Sequence, residues 1–504
     1  MSDPAAVTGD QAGLVFASAR GRWVLLATVL GSAVASIDAT VVGIALPAIG
    51  RNFGVGLADL QWVVTAYTLT LAGLLLLAGA LGDKYGRKRV FLIGVVWFAL
   101  ASLLCSVAPT APALIAARAL QGVGAALLTP GSLAILQAVF RPDDRGKAIG
   151  AWSGFSGVGT AIGPFLGGWL IAAGSWRLIF VINLPLAALV VAVTLRHVPE
   201  SRDPTDTAPV DVAGGVLVTL GLVGLTYGLI QGPNYGWASA SVLIALIAGV
   251  ALLGVFGWWE HRSPAPMLSL SLFRSSQFTS TNVVTFIIYG AIGGALFLLP
   301  IQLQQVSGYS ALQAGIALLP VTAITLALSA RSGALAARIG PRLQMSVGPV
   351  LVGVGIGLFV LIGPSGTYLT EVLPGVVVFG FGLAVTVAPL TSTVMTAVPA
   401  EHSGMASAVN NDVARAAALI AVALLPAAGG LTGNSYRDPP VFSAGFHTAS
   451  LVAAGLCVAG GLLAAVTIRN PSPAEVALRP AQRHPLHCAI DAPPQPVQVQ
   501  GAAS

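Results

Sequence analysis

Charge is the scarcest property of this chain. Only 8% of its 504 residues are Asp, Glu, Lys or Arg, where soluble domains carry ~25%. So few charges cannot cover the surface of a globule in water, which excludes a soluble protein. Cysteine is nearly absent. Cys105, Cys457 and Cys488 show neither a CxxC nor a paired spacing, which excludes a disulfide framework, and two of them sit in apolar stretches as small hydrophobes. The six histidines are scattered and form no HExxH, so no metal site is written in the sequence. There is no GxSxG and no GxxxxGK[ST], so neither nucleophile-elbow hydrolysis nor ATP as an energy source is indicated. Gly157-Val-Gly159 lies inside an apolar stretch, which is the wrong context for a dinucleotide loop. No constellation of an enzyme is visible.

What is present is apolar. Hydrophobic residues make up 56% of the chain and the mean hydropathy is +0.86. The apolar residues come in runs of twenty or more, which suit membrane-spanning helices rather than barrel strands. Fourteen such spans can be drawn, at about 23–48, 61–81, 89–108, 113–139, 147–172, 177–197, 210–231, 237–258, 278–304, 311–332, 342–363, 368–391, 404–428 and 446–468. Each is long enough for a ~30 Å hydrocarbon core at ~1.5 Å per residue. The first span is longer than a signal-peptide core and holds an aspartate, so it reads as a signal anchor.

The cations report the topology. With the N-terminus in the cytoplasm, 19 of the 24 Lys and Arg fall in inside loops or tails and 3 (Arg51, Arg177 and Arg437) outside, while Arg118 and Arg415 lie within spans. One missed helix would scramble this positive-inside bias. It also accounts for the net charge of +6, leaving no nucleic-acid patch. Residues 1–22 form a cytoplasmic segment and 469–504, rich in Pro, Ala and Gln, a disordered cytoplasmic tail. Polar linkers at 198–209 and 259–277 flank spans seven and eight, and Met267–Phe273 reads as an amphipathic, interfacial segment.

An internal repeat organises the spans. Gly79-Ala-Leu81-Gly-Asp83-Lys-Tyr-Gly86 follows span two, and Gly333-Ala-Leu335-Ala-Ala337-Arg-Ile-Gly340 follows span ten, 254 residues later throughout. Parallel six-helix repeats are a transporter architecture. The expected units are an N-terminal six-helix bundle over 23–197, an insertion of two helices with their linkers over 198–277, and a C-terminal six-helix bundle over 278–468.

Several polar residues stand out against this background. Asp38 lies nine residues before Pro47, about 13 Å inside the span, where an ionised carboxylate is costly unless it meets water or a partner. It reads either as a proton-binding carboxylate, with desolvation and a neighbouring cation pulling its ionisation in opposite directions, or as a structural aspartate bonded to groups such as Thr40. Arg118 in span four lies about 9 Å deep from the same face, at a similar level. It can hold Asp38 ionised when near and release it when displaced, or serve as a static arginine bonded to backbone carbonyls. In the loop after span two, Gly79 and Gly86 supply turns, Asp83 suits a helix N-terminus, and Arg87 and Lys88 with Arg89 can meet anionic lipid headgroups. In span five, Gly159, Gly163 and Gly167 recur every fourth residue around Pro164, giving a close-packing face with a helix-bending proline. Asp412 and Arg415 are three apart on span thirteen and can pair, or act in coupling or substrate binding. Trp62, Tyr67, Gln121, Phe155, Tyr289, Gln302 and Gln304 could line a cavity for aromatic or cationic compounds, though each alone suits ordinary packing.

Taken together, these motifs resemble the major facilitator superfamily. Gly79–Arg89 resembles its Gly-x-Leu-Ala-Asp-Arg-x-Gly-Arg-Lys loop, with Gly82 for alanine and Lys84 for arginine. Arg118–Ala126 resembles its Arg-x-x-Gln-Gly-x-Gly-x-Ala motif, and Gly150–Gly167 its antiporter motif. Ile37–Pro47 (with Gly43 for asparagine), Trp176–Pro185 and Leu299–Pro320 are similar to segments of the fourteen-helix drug:proton antiporter branch, called EmrB/QacA-like. The resemblance covers 22–468. It implies an all-α membrane protein with the major facilitator fold, two six-helix bundles rocking about a central cavity plus two inserted helices. It further implies that Asp38 and Arg118 take part in proton coupling, that Asp83 locks the bundles on the cytoplasmic side, and that the span-five motif marks export. Ala337 departs from the pattern, so the second loop cannot form the same charged latch.

The expected function is proton-coupled efflux of hydrophobic or cationic drug-like molecules by alternating access, with no cofactor beyond the proton gradient. Multidrug or antibiotic resistance would follow. An exporter dedicated to one endogenous metabolite, such as a self-made antibiotic, is the alternative. A non-transporting receptor or scaffold would keep the spans but need neither Asp38 with Arg118 nor the Gly-Pro motif. The expected partners are a small-molecule substrate, protons and membrane lipids, with no nucleic acid. The protein is expected to be a monomer in the inner (plasma) membrane, with both termini cytoplasmic.

Overall fold

The computed structural model describes residues 13–202, 209–399 and 402–470. The tail, the first twelve residues and the middle of the 198–209 linker lie outside the described residues. Among those described, fourteen helices are long and apolar enough to cross a bilayer. They are α1 (Ala19–Phe53), α2 (Leu57–Tyr85), α3 (Arg87–Val107), α4 (Ala111–Val139), α5 (Pro142–Ala172), α6 (Leu178–His197), α7 (Val212–Tyr235), α8 (Ala240–Arg262), α9 (Ser276–Val306), α10 (Ala311–Ile339), α11 (Arg342–Leu361), α12 (Tyr368–Thr396), α13 (Ser403–Ala428) and α14 (Pro439–Thr467). The helices overrun the apolar runs by up to a turn or more, since polar ends of a helix stand in the interfacial layer rather than in hydrocarbon.

Side-chain and turn chemistry sets the ends. Ser18, Thr110 and Asp438 accept a backbone N–H at the starts of α1, α4 and α14, satisfying donors that a helix start leaves open. The turn at Gly86 has φ +111° and that at Gly340 φ +85°, a region where a side chain is strained. These two glycines are 254 residues apart, and shifting α2 by the same offset lands it on α10 end for end. The repeat is therefore structural as well as sequential.

Helices α1–α6 pack as one bundle and α9–α14 as a second. Inserted helices α7 and α8 pair with each other, and α7 lies against both α2 and α13. The odd-numbered helices begin on the face that carries both chain ends, called here the termini face. On the opposite face the two bundles are fastened together. Gln61 Nε2 donates to Val422 O at 2.7 Å, Gln304 Nε2 to Ile44 O at 3.0 Å, Tyr436 Oη to Val55 O at 2.7 Å, and Leu57 N to Gly433 O at 2.9 Å. The α5–α10 seam closes where Gly168 meets the backbone of Ala311 and Gly315 that of Pro164, so closely that a Cβ on either glycine would stand 2.4 or 2.2 Å from a carbonyl oxygen. Toward the termini face the same helices carry exposed apolar residues, including Phe155 on α5 and Leu335 on α10. The bundles thus meet at one face and part toward the other.

The residues just before α1 are tied down: Leu14 pairs with Phe140 and Phe16 N donates to Asp144 Oδ2, joining them to the α4–α5 turn. The 267–273 segment runs into a short 3-10 helix, Leu270–Arg274, that buries Leu272 and sets Phe273 edge-on against Phe278.

Candidate functional site

Asp38 and Arg118 come together inside the N-terminal bundle. Arg118 Nη1 donates to Asp38 Oδ2 in an ion pair, and both residues are only 1% exposed. Asp38 Oδ1 accepts from Gln121 Nε2 at 2.8 Å and from Asn183 Nδ2 at 3.0 Å. Gln121 reaches the pair because it lies one helical turn beyond Arg118, and its Oε1 accepts from Arg118 Nη1 at 2.6 Å. Both amides also donate to Ser102 Oγ, which in turn donates to Phe180 O. Arg118 Nε donates to Val63 O at 3.1 Å, and its guanidinium carbon stands 4.3 Å from the centre of the Tyr67 ring. Helices α1, α2, α3, α4 and α6 thus all contribute to one polar island in an apolar bundle.

The direction of these hydrogen bonds matters. Every named partner of Asp38 is a donor, so the cluster is built for a carboxylate and offers the carboxyl form no acceptor among those contacts. Such a buried pair is costly to break: removing one member leaves an unmatched charge, a loss of about 3–5 kcal/mol. A proton arriving at Asp38 would free Arg118 from its counter-ion.

Span five packs on this region. A Cβ on Gly159 would meet Ala33, one on Gly167 would meet Val41, and one on Gly163 would stand 1.9 Å from Thr40 Oγ1, so the three glycines bring α5 against α1 on either side of Asp38. Helix α5 continues through Pro164 to Ala172.

The remaining candidates are dispersed. Tyr67 and Gln121, read as cavity residues, belong to the Asp38 cluster. Trp62 faces sideways, lining a recess with Ile115 and Tyr227 at the α2–α4–α7 junction. Gln302 is fully buried in the C-terminal bundle, donating to Ile362 O, and Gln304 fastens the two bundles. Tyr289 is half-buried against the core of that bundle, and Phe155 is exposed on α5. Asp412 and Arg415 share a helix, but among the described residues no ion pair joins them, and Asp412 Oδ1 and Arg415 Nε are both buried without a partner. Three residues apart on a helix permits contact but does not oblige it.

The loop after α2 also differs from its reading. Asp83 does not cap a helix, because α2 runs past it to Tyr85. It pairs instead with Arg87 at 2.7 Å. The cap on α3 comes from Glu200, whose carboxylate accepts Lys88 N at 3.0 Å and Arg89 N at 3.2 Å. Glu200 and Ser102 belong to no motif of the sequence. Asn183 lies in the Trp176–Pro185 segment, but its place beside Asp38 comes from the fold.

Two pseudo-repeated helical bundles and a buried ion pair in a membrane define the class, a secondary transporter without enzyme chemistry. The sequence profile of the Major Facilitator Superfamily matches residues 28–423. The chain belongs to the major facilitator superfamily. It is similar to Multidrug resistance protein Stp of Mycobacterium tuberculosis, with 39% identity over 76% of this chain and 71% of that protein. It is also similar to the Tetracenomycin C resistance and export protein of Streptomyces glaucescens, 34% identical over 81% of this chain and 76% of that one. Among solved structures, a bacterial homolog of the human lysosomal transporter Spinster superposes with a TM-score of 0.64 at 17% identity, covering 91% of this chain and all of that one. That likeness concerns the fold.

Proposed function

We propose that this protein is a proton-coupled exporter of hydrophobic, drug-like small molecules. The observation that carries the reading is the Asp38 cluster: a sealed carboxylate whose named contacts all donate, held by an arginine from another helix. The drug-resistance relatives support an exporter, and so does the packing of Gly159, Gly163 and Gly167 against α1 on either side of Asp38. In this conformation no water reaches Asp38, so the proton arrives in the other state, when the bundles have parted on the opposite face and α1 and α4 have shifted. Protonation then releases Arg118; deprotonation re-forms the pair. The motive force is worth about 2.3 kcal/mol per charge per 100 mV.

With the termini cytoplasmic, as the cation distribution favours, the structure stands open inward. Asp83 with Arg87 is the element that locks the bundles when the termini face closes, while Lys88 and its neighbours meet anionic headgroups, and the protein acts as a monomer in the plasma membrane. A second reading, export of one endogenous antibiotic, is favoured by the tetracenomycin relative. A substrate panel separates the two: several unrelated drugs support the first, a single compound the second. The proton reading is tested in inside-out vesicles with an imposed pH gradient. Drug uptake that collapses with the gradient and is lost in Asp38→Asn is expected, and uptake indifferent to both would overturn it.

A further inference from the structure

Two side-chain amides donate to Asp38, yet their carbonyl oxygens are not used alike. Gln121 Oε1 is engaged twice, accepting from Arg118 Nη1 at 2.6 Å and from Cys105 Sγ at 3.5 Å. Asn183 is fully buried, and its Oδ1 accepts no hydrogen bond. Ser102 cannot serve it, because the Ser102 hydroxyl points its proton at Phe180 O, 2.9 Å away. A buried acceptor left idle is unfavourable and calls for an explanation.

The idle oxygen has a use once Asp38 carries a proton. A carboxyl group needs an acceptor for its O–H, and the contacts of Asp38 in this conformation are all donors. An amide holds oxygen and nitrogen on opposite sides of one rotatable bond, so a half-turn exchanges them. At Gln121 that half-turn would break the bond to Arg118, whereas the oxygen of Asn183 has no bond to lose. Asn183 would give up its donor bonds to Asp38 and Ser102, and the first of these weakens as soon as the carboxylate loses its charge. The charged and titratable neighbours do not compete for this part. Arg118 only donates, Tyr67 donates its hydroxyl to Ala35 O at 3.1 Å, and Cys105 faces Gln121. Arg415 of α13 acts at longer range, on Tyr67 and on its helix-mate Asp412.

We propose that Asn183 positions the proton on Asp38, its amide donating to the carboxylate and turning over to accept the O–H of the carboxyl form. The proton comes from water on the opposite face and forms the O–H bond at Oδ1. That bond breaks when the proton leaves to water on the termini face, and the amide turns back. Arg118 keeps its charge throughout. The inference rests on the proton-coupled reading and adds to it a residue that stabilises the protonated state.

Infrared difference spectra between neutral and acidic pH, taken on the purified full-length protein in nanodiscs, read both forms of Asp38. Asp38→Asn should remove one carboxyl C=O band and so assign it. Asn183→Leu, similar in size but without an acceptor, should move that band to higher wavenumber, since an O–H that loses its acceptor leaves a stiffer C=O. An Asn183 that only donates, or only packs, would alter the carboxylate band or the unfolding midpoint and leave the carboxyl band in place, which would overturn the proposal. Wild-type protein with asparagine enriched in heavy carbon gives a check that needs no variant. Acidification should shift an asparagine C=O band as the idle oxygen gains its donor, and an unchanged asparagine region would equally overturn the inference. Absence of any carboxyl band that Asp38→Asn removes would instead sink the proton-coupled reading itself, so the two failures are told apart.

Discussion

The two bundles share a fold and differ in what they bury. Where α1 carries Asp38, the 254-residue offset falls on Ile292 of α9, and α12, the counterpart of α4, carries no arginine. Besides Asp412 and Arg415 on α13, which no ion pair joins among the described residues, the C-terminal bundle holds a neutral polar contact: Asn410 donates to Asn282 Oδ1 at 3.0 Å and to Thr285 Oγ1 at 2.8 Å. Neutral amides and hydroxyls specify how α9 and α13 pack without storing charge. Among the described residues, an ion pair buried inside a bundle is found in the N-terminal one alone.

Removing that asymmetry should have the largest effect. Asp38→Asn should abolish proton-driven uptake in inside-out vesicles, by about a hundredfold or more if coupling is lost outright, while the protein still reaches the membrane. Uptake near the wild-type rate would remove Asp38 from the mechanism. Placing an acid at the equivalent site, Ile292→Asp, should not restore Asp38→Asn, because α12, the counterpart of α4, carries no arginine to pair with it. It should also destabilise the fold by about 2.5–3.5 kcal/mol, seen as a lower midpoint of thermal unfolding in detergent. A rescued double variant would mean that the bundles are interchangeable.

Gly163→Ala tests whether the bundle must pack tightly behind Asp38. Its new Cβ would collide with Thr40 Oγ1, at a stability loss of about 1–3 kcal/mol. Adding Thr40→Ala should recover most of that loss; no recovery would place the strain elsewhere. The smallest effect on stability belongs to Asp83→Ala. The Asp83 side chain is 40% exposed and its partner Arg87 half-buried, so unfolding should shift by no more than about 1 kcal/mol. Turnover should nevertheless fall with substrate binding retained, because the loop acts when the termini face closes. A normal turnover would argue against the lock.

Much of this architecture was legible before any coordinates. Length and apolarity locate membrane helices reliably because hydrocarbon tolerates no open backbone, and the biased cations order them. Asp38 and Arg118 were visible because charge within a span is rare. What escaped detection was neutral or distant. Ser102 is an ordinary residue, and Asn183 one polar member of a family segment, until the fold brings them together beside Asp38. Gln302 and Gln304 are two positions apart, yet one closes a bundle and the other joins two, a difference set by which side of α9 each occupies. Asp83 resembled a helix cap only as long as the end of α2 was placed too early.

Glu200 holds the turn at Gly86, and Asn470 does the same at Gly340, where its Oδ1 accepts Arg342 N at 3.0 Å and its Nδ2 donates to Ile339 O. Each bundle is therefore buckled shut by the residue that follows its own last helix. This sets a practical limit for protein engineering. A reporter or affinity tag joined after Asn470 leaves the C-terminal buckle fastened, whereas a truncation that takes Asn470 with it would unclasp α11 from α14.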